Sequence, residues 1–456
     1  MPKIQTTHQI VAFTRLPAEL QIEIFDYLPA TDVKAARAVS KTFRDNATPA
    51  LFRSIVACAR YQALGAFQNV SLHPVYSGYV REVIFDGTLY DAVLAKDHRY
   101  YQQSEQSTDE FNSSSFYAMR TRWKRYHDMY EEQESMNVDG VLLHSIARGL
   151  QNMQNISSIV YSPHQHAIPM ERKTLRDLLP RGAVPGRLGK NRTTSWDHPF
   201  RQLIGAIFMS EYTGIRQLTI EAPREGHSYT ALSLEMFKFP ELNDLPAARH
   251  LFRHLVRVDF NLSILNTQSR DLHPLTNNNP TIQPLENLAT VLGAAQDLRH
   301  LSFGILDWNH LHEPLWDGGL IPDECSIIDF IGLGATWPKL RSLRLEGIYA
   351  REQDVCQVIT RHKDTLRSVT FAKCTLCTGL WIEVVNEVIF NASIITKFVL
   401  DNVNEDTGAW STRSNTRTKR MLGYEGHLVV NKDGDLEFVD TNPDKPSVEN
   451  GRHVVQ

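Results

Sequence analysis

LRSVTFAKCTL, residues 366–376, is the stretch of this sequence that decides the predicted fold. Leu366, Val369 and Phe371 are spaced apolar-x-x-apolar-x-apolar, the pattern of a β-strand that buries one face. The same spacing recurs along the chain, in segments that begin at Val80, Ile156, Ile215, Leu255, Leu298, Leu340, Leu366 and Ile395. Recurrence of one strand pattern indicates a chain built from a repeated structural unit.

Helical periodicity lies between the last of these strands. Apolar residues follow i, i+3, i+4 spacing from Val355 to Ile359 and again from Trp381 to Ile389. Alternation of strand and helix predicts an α/β fold for residues 78–404. With Cys374 in the turn, the quoted stretch resembles the leucine-rich repeat, whose pattern is L-x-x-L-x-L-x-x-N/C-x-L.

The spacing of the repeats is uneven. Only the last segments, which begin at residues 340, 366 and 395, keep the roughly 20 to 29 residues typical of leucine-rich repeats. We interpret the excess earlier in the chain as insertions at about residues 95–138 and 163–198. The sequence therefore predicts an irregular leucine-rich-repeat-like solenoid, with an open α/β sheet as the alternative. Residues 405–456 are expected to form a hairpin and a tail.

The N-terminal region predicts three short helices. Leu20, Ile24 and Leu28 form a stripe at i, i+4 spacing on the first helix, which Pro29 ends. Thr31 and Ser40 are the expected N-caps of the second and third helices. So small a helical unit buries little by itself, and its apolar stripe is typical of a binding face.

This region resembles an F-box in the order and spacing of its residues, from Leu16-Pro17 to Leu51-Phe52, and we place the domain at residues 12–56. The resemblance implies docking on the Skp-type adaptor of a cullin-type ubiquitin ligase. The implied docking residues are Leu16, Pro17, Leu20, Ile24, Leu28, Val39 and Phe43. Phe43 stands where the family often has tryptophan. The whole chain is similar to fungal-type F-box proteins with degenerate leucine-rich repeats.

The predicted function is substrate recognition in an SCF-type ligase. The F-box binds the Skp adaptor and through it cullin, and the concave face of the repeats binds a protein substrate that the sequence does not identify. The expected substrate contacts lie between apolar strand residues, at Arg299, Arg341, Arg344 and Arg367. Such a protein does no covalent chemistry. Two alternatives stay open: an F-box scaffold protein outside a ligase, and an α/β enzyme without a recognisable motif.

Composition excludes several other classes. A net charge of −4 predicts no general attraction for nucleic acid or for anionic membranes. Five scattered cysteines predict a reducing compartment, the cytoplasm or the nucleus. The sequence has no signal peptide pattern and no apolar run near the roughly 20 residues of a membrane span. Cys374-x-x-Cys377 has no second cysteine pair, so neither a metal nor a cofactor is expected.

Overall fold

The structure, a computed structural model, describes residue 13 and residues 15–106, 116–163, 198–222, 232–263, 282–306, 332–391, 394–405, 409–410, 417–418, 424–430 and 436–440. Statements on the fold and the site refer to these residues. Most of the predicted insertion at residues 163–198 and the expected tail after residue 440 lie outside them.

The three predicted N-terminal helices are present: α1 (Ala18–Asp26), α2 (Ala30–Arg37) and α3 (Lys41–Phe52). The Ser40 hydroxyl accepts a hydrogen bond from the Phe43 amide at 3.1 Å, so the predicted cap of α3 is confirmed. The predicted cap Thr31 is wrong, because α2 begins at Ala30, two residues earlier than that cap implies, and Pro29 occupies the N-cap position. Proline suits that place, since its missing N–H is not needed at a helix start.

Strands and helices then alternate to the end of the array. The remaining helices are α4 (Tyr61–Leu72), α5 (Ala92–Lys96), α6 (His98–Gln106), α7 (Phe116–Val138), α8 (Val141–Asn152), α9 (Pro199–Met209), α10 (Asp244–Phe252), α11 (Ile282–Gly293), α12 (Glu352–Arg361) and α13 (Trp381–Asn391). The strands are β1 (Ser54–Cys58), β2 (Glu82–Asp86), β3 (Ser158–Ser162), β4 (Gln217–Ile220), β5 (Leu232–Ser233), β6 (Arg257–Ser263), β7 (His300–Ile305), β8 (Ser342–Glu346), β9 (Tyr349–Arg351), β10 (Ser368–Ala372), β11 (Thr375–Thr378), β12 (Lys397–Glu405), β13 (Ala409–Trp410), β14 (Arg417–Thr418), β15 (Tyr424–Val430) and β16 (Leu436–Asp440).

The main sheet is parallel and follows the chain. In the described part of the molecule its order is β1-β2-β3-β4-β6-β7-β8-β10-β12, and β11 and β9 continue from β12. β15 pairs antiparallel with β12 and with β16, in the segment where the sequence predicts a hairpin. The mixed α/β architecture is therefore as expected. Both predicted arrangements, the solenoid and the open sheet, contain parallel strands, so the solenoid stays a prediction.

Strand register explains why the apolar spacing recurs. Pairing brings one apolar residue from each strand into a continuous buried row, composed of Ile55, Val83, Ile159, Leu218, Val258, Leu301, Leu343, Val369 and Phe398. Helix residues such as Leu64, Leu142 and Val358 pack against the same core. The strand residues between the buried ones are half-buried or exposed, so the second face of the sheet lies open.

The start of the array differs from the predicted one. The array does not begin at residue 78, because β1 already pairs with β2 along its whole length, from Ser54 with Glu82 to Cys58 with Asp86. The expected end of the F-box at residue 56 therefore falls inside the first strand. The predicted insertion at residues 95–138 is largely helical, and Tyr126 and Tyr130 on α7 lie in a second buried cluster.

Candidate functional site

The first candidate site is the exposed face of α1, whose amphipathic pattern is inverted. Leu20 and Ile24 lie one turn apart and are 46% and 37% exposed, whereas the neighbouring Gln21 is buried. The Gln21 amide nitrogen donates to the Leu16 carbonyl at 2.9 Å, and its oxygen accepts from Asn46 Nδ2 at 3.0 Å. These bonds compensate for the burial of a polar side chain. Leu20 and Ile24 therefore face solvent, while Gln21 and Phe25 hold α1 against the rest of the helical unit.

The other predicted docking residues divide into two groups. Pro17, Leu28 and Val39 are exposed and Leu16 is half-buried, so these four have surface to offer a partner. Phe43 is buried instead, with its ring centroid 5.2 Å from Phe13 and 5.8 Å from Phe25 in edge-to-face contacts. The structure therefore places Phe43 in the core that the helices share, and it gives no surface for docking in this conformation.

The three-helix unit is joined directly to the sheet. One residue, Arg53, separates α3 from β1, and its guanidinium lies 3.2 Å from the Asp26 carboxylate. Phe52 stacks on Tyr76 with ring centroids 4.2 Å apart, and Tyr76 stacks on His73 at 3.7 Å. Rings stacked across this junction restrict rotation between the helical unit and the array.

The second candidate site is a column of arginines where the strands begin. The Arg341 amide donates to the Arg299 carbonyl and the Arg367 amide to the Arg341 carbonyl, both at 2.8 Å, so these residues occupy equivalent places immediately before β7, β8 and β10. Arg81 and Arg216 occupy the same place before β2 and β4, and Arg53 before β1. We call this column the arginine edge, formed by Arg53, Arg81, Arg216, Arg299, Arg341 and Arg367.

Three of the four arginines predicted as substrate contacts lie together on this edge. Arg299, Arg341 and Arg367 line one cavity of about 480 Å³, which is completed by Pro338, Lys339, Asp364 and Thr365. The cavity lining contains neither serine nor histidine, so a serine–histidine–aspartate arrangement is not found there. Sequence reasoning missed Arg53, Arg81 and Arg216, although each follows the first apolar residue of its segment as Arg299 does. Aligning the segments by that residue reveals the column.

Arg344 is separate from the other three. It lies on the open face of β8, where its Nη2 atom donates to Glu346 Oε2 at 2.8 Å. Lys373 donates to the other Glu346 oxygen at 2.9 Å. Burial alone raises the pKa of Glu346, but the hydrogen bonds from Arg344 and Lys373 outweigh it and leave that pKa lowered. Arg344 therefore already has an ionic partner within the chain.

The positive charge of the arginine edge contributes to the pKa shifts of two neighbouring groups, His300 and Asp297. The pKa of His300 is lowered, first by burial and then by Arg257, Arg341 and Arg299. Lys339 lies beside the edge and forms an ion pair with Asp297, whose pKa is lowered first by the hydrogen bond from Lys339 and also by the charge of Arg299. The positive charge of Arg299 contributes to both shifts, and the same charge favours a nearby anion.

The described residues include no cluster of three or more His, Cys, Asp or Glu side chains that could hold a metal ion. Cys374 is buried and its Sγ donates to the carbonyls of Leu345 and Ala372 at 3.4 and 3.3 Å. Burial raises the pKa of this thiol to about 12, so it stays protonated and inert. None of the helices in the described ranges has both the length and the apolar character of a membrane span.

Comparison with known proteins adds one match and one negative result. The search of curated proteins gives no match. Residues 13–57 match the family model for F-box-like domains, which covers α1, α2, α3 and most of β1. The chain therefore carries an F-box-like domain at its N-terminus, followed by a mixed α/β array with a parallel sheet.

Proposed function

We propose that this protein is the substrate-recognition subunit of an SCF-type ubiquitin ligase. F-box domains generally bind Skp-type adaptors, and the match at residues 13–57 supports that role. The observation that carries the proposal is the inverted face of α1, where Leu20 and Ile24 are exposed beside the buried Gln21. Leaving leucine and isoleucine in water gains nothing for the isolated chain, so a partner that covers them is the best explanation.

The array is proposed to present the substrate. We interpret it as a divergent leucine-rich-repeat solenoid of the kind found in fungal-type F-box proteins, because each strand in the main series pairs in parallel with the next and the register repeats. The open face of its sheet and the adjoining arginine edge give one continuous set of polar positions for a protein substrate. The stacked junction at Phe52 and Tyr76 keeps that surface at a fixed angle to the docking face.

In this role the chain does no covalent chemistry and requires no cofactor. It raises the effective concentration of a substrate lysine near the ubiquitin-charged enzyme, which is a proximity effect. The proposed location is the cytoplasm or the nucleus, where the ligase works.

Co-purification with the Skp adaptor and cullin tests this function. We expect the wild-type chain to retain both proteins, because cullin reaches it through the adaptor. The Leu20→Asp/Ile24→Asp variant should lose both, whereas Leu242→Asp, which changes a leucine that is 91% exposed on the array, should retain both. Retention of the adaptor without cullin would favour the scaffold alternative. Absence of the adaptor from the wild-type complex would contradict the proposal.

A further inference from the structure

The arginines at one end of the arginine edge have few partners among the described residues. Arg53 pairs with Asp26, Arg81 donates to the Gly78 carbonyl and Arg216 to the Thr213 carbonyl. By contrast, the guanidinium groups of Arg299 and Arg341 have no hydrogen bond or ion pair with any described residue. Arg367 has only a long contact of 3.5 Å to the Ile394 carbonyl. Three adjacent positive charges repel one another, so an added anion stabilises this part of the fold.

The arrangement of these charges is linear. Adjacent strands lie about 4.8 Å apart, so Arg299, Arg341 and Arg367 extend over about 10 Å, and the column from β1 to β10 extends over about 34 Å. A single phosphate is held by donors that converge on one point, whereas Arg299, Arg341 and Arg367, spaced by adjacent strands, match a series of spaced anions. The negative charge of Asp364 in the cavity lining repels a dianion such as phosphate more strongly than it repels a single carboxylate.

The residues around the edge favour a peptide over a nucleic acid. Binding of single-stranded nucleic acid relies on exposed aromatic rings that stack on the bases. The equivalent positions before β3, β6 and β12 hold Ser157, Val256 and Thr396. The next row on the main strands contains Ser54, Glu82, Ser158, Gln217, Arg257, His300, Ser342, Ser368 and Lys397. These rows contain no Phe, Tyr or Trp. An acidic peptide needs only the arginine donors, which bind carboxylates in bidentate geometry.

We infer that the arginine edge binds an extended segment rich in aspartate or glutamate, and that this segment is the recognition element of the substrate. The inference rests on the proposed function only in calling the bound protein a substrate. Binding of an acidic segment to the arginine edge is independent of the ligase. An extended peptide of about ten residues reaches about 34 Å, the length of the column. Its carboxylates would pair first with Arg299, Arg341 and Arg367, whose guanidinium groups have no ion pair with any residue that the structure describes.

Fluorescence anisotropy with the full chain tests the inference. The probe is a labelled peptide of about ten residues in which glutamate alternates with serine, and its neutral counterpart has glutamine in place of glutamate. The test variant carries Arg299→Gln, Arg341→Gln and Arg367→Gln. The matched control carries Lys124→Gln, Arg148→Gln and Arg249→Gln, which removes the same charge from exposed positions outside the cavity lining.

We expect the wild-type chain and the control to bind the acidic peptide, with affinity that falls as salt is added. The test variant should bind at least about tenfold more weakly, the order expected for loss of three exposed ion pairs. Equal affinity of the test and control variants would overturn the inference, as would equal binding of the neutral peptide. Tighter binding of a single-stranded oligonucleotide of matched charge would overturn it in favour of nucleic acid.

Adaptor binding, measured on the same preparations, separates this inference from the proposed function. The arginine substitutions leave Leu20 and Ile24 untouched, so the test variant should bind the Skp adaptor as wild type does. Adaptor binding without peptide binding contradicts only the inference. Peptide binding without adaptor binding contradicts the ligase function and leaves the acidic-peptide site in place.

Discussion

Within the F-box-like domain, two apolar residues four positions apart have opposite surroundings. Val39 follows α2 and is 63% exposed, whereas Phe43 in α3 is 8% exposed and contacts Phe13 and Phe25. The resemblance to the F-box implied that both belong to one docking surface. A motif match preserves the order of residues but does not show which way each side chain points, and here the aromatic cluster draws Phe43 inward.

Substitution of these two residues tests that division. We expect Phe43→Ala to lower the free energy of unfolding by about 3–5 kcal/mol, because it removes a buried ring and leaves a cavity. Val39→Ala should change it by less than about 0.5 kcal/mol, since the side chain is largely in water. Denaturant unfolding of the full chain, followed by hydrogen exchange in α1 to α3, measures both. Similar losses for the two variants would contradict the assignment.

His362 gives a second prediction for a single residue. Its Nε2 accepts the Trp337 amide at 3.0 Å, which leaves the proton on Nδ1, 2.8 Å from the Val358 carbonyl. Burial, more than the charge of Arg361, lowers the pKa of this imidazole, so the folded chain keeps it neutral. Below pH about 6.5 the unfolded chain takes up a proton that the folded chain resists, and stability falls as pH decreases toward the lowered pKa.

The pH dependence of unfolding measures this effect. Between pH 7 and 5.5, roughly the range in which an unfolded histidine titrates, the free energy of unfolding should fall more steeply for wild type than for His362→Gln. The variant itself is expected to be less stable at pH 7, because it disturbs two buried hydrogen bonds. Parallel pH profiles for the two proteins would show that His362 does not contribute.

Among the elements, β8 depends on the turn that follows it. Gly347 has a φ of +65°, and a Cβ added there would lie 2.1 Å from the Ile305 carbonyl oxygen at the end of β7. Gly334 lies before β8, and a Cβ added there would have nothing within 4 Å. The first glycine is therefore required by both its backbone conformation and its neighbour, whereas the second is not.

The two glycines form a matched pair of tests. Gly347→Ala should lower the free energy of unfolding by more than about 1–2 kcal/mol, the cost of a left-handed residue before any clash is added. Gly334→Ala should be neutral or slightly stabilising, because it reduces the freedom of the unfolded chain. Thermal or denaturant unfolding compares them directly. A neutral effect at Gly347 would mean that the β7–β8 contact is not as close as described.

The elements also show how far the sequence predicts this fold. Every recurring apolar segment from Val80 to Ile395 corresponds to a strand, because period-two spacing follows directly from the pleat. Strand β1 was missed. Phe52, Ile55 and Ala57 keep the same spacing, but the F-box domain was extended through residue 56, into the middle of this strand. Strands β9 and β11 are too short to produce a periodic pattern in the sequence. Their pairing depends on the turns after β8 and β10, which are tertiary features.

At the scale of the molecule, the two candidate surfaces share one framework. Phe52 and Tyr76 fix the F-box-like domain against the start of the sheet, and the arginine edge begins at Arg53 in the same junction. The sequence predicted the cavity-lining Arg299, Arg341 and Arg367 as candidate contacts. It did not show that Arg344 lies apart from these three residues. The spacing of residues along a strand does not reveal that Arg344 forms an ion pair with Glu346, two residues later.

Calorimetric titration of the purified full-length chain with the Skp adaptor tests the central claim most directly. The account predicts that wild type and Leu242→Asp bind alike. The Leu20→Asp/Ile24→Asp variant should bind at least about 100-fold more weakly, because two apolar side chains of roughly 1.5–3 kcal/mol each are lost from the interface. Absence of binding by the wild-type chain, or equal binding by the double variant, would contradict it.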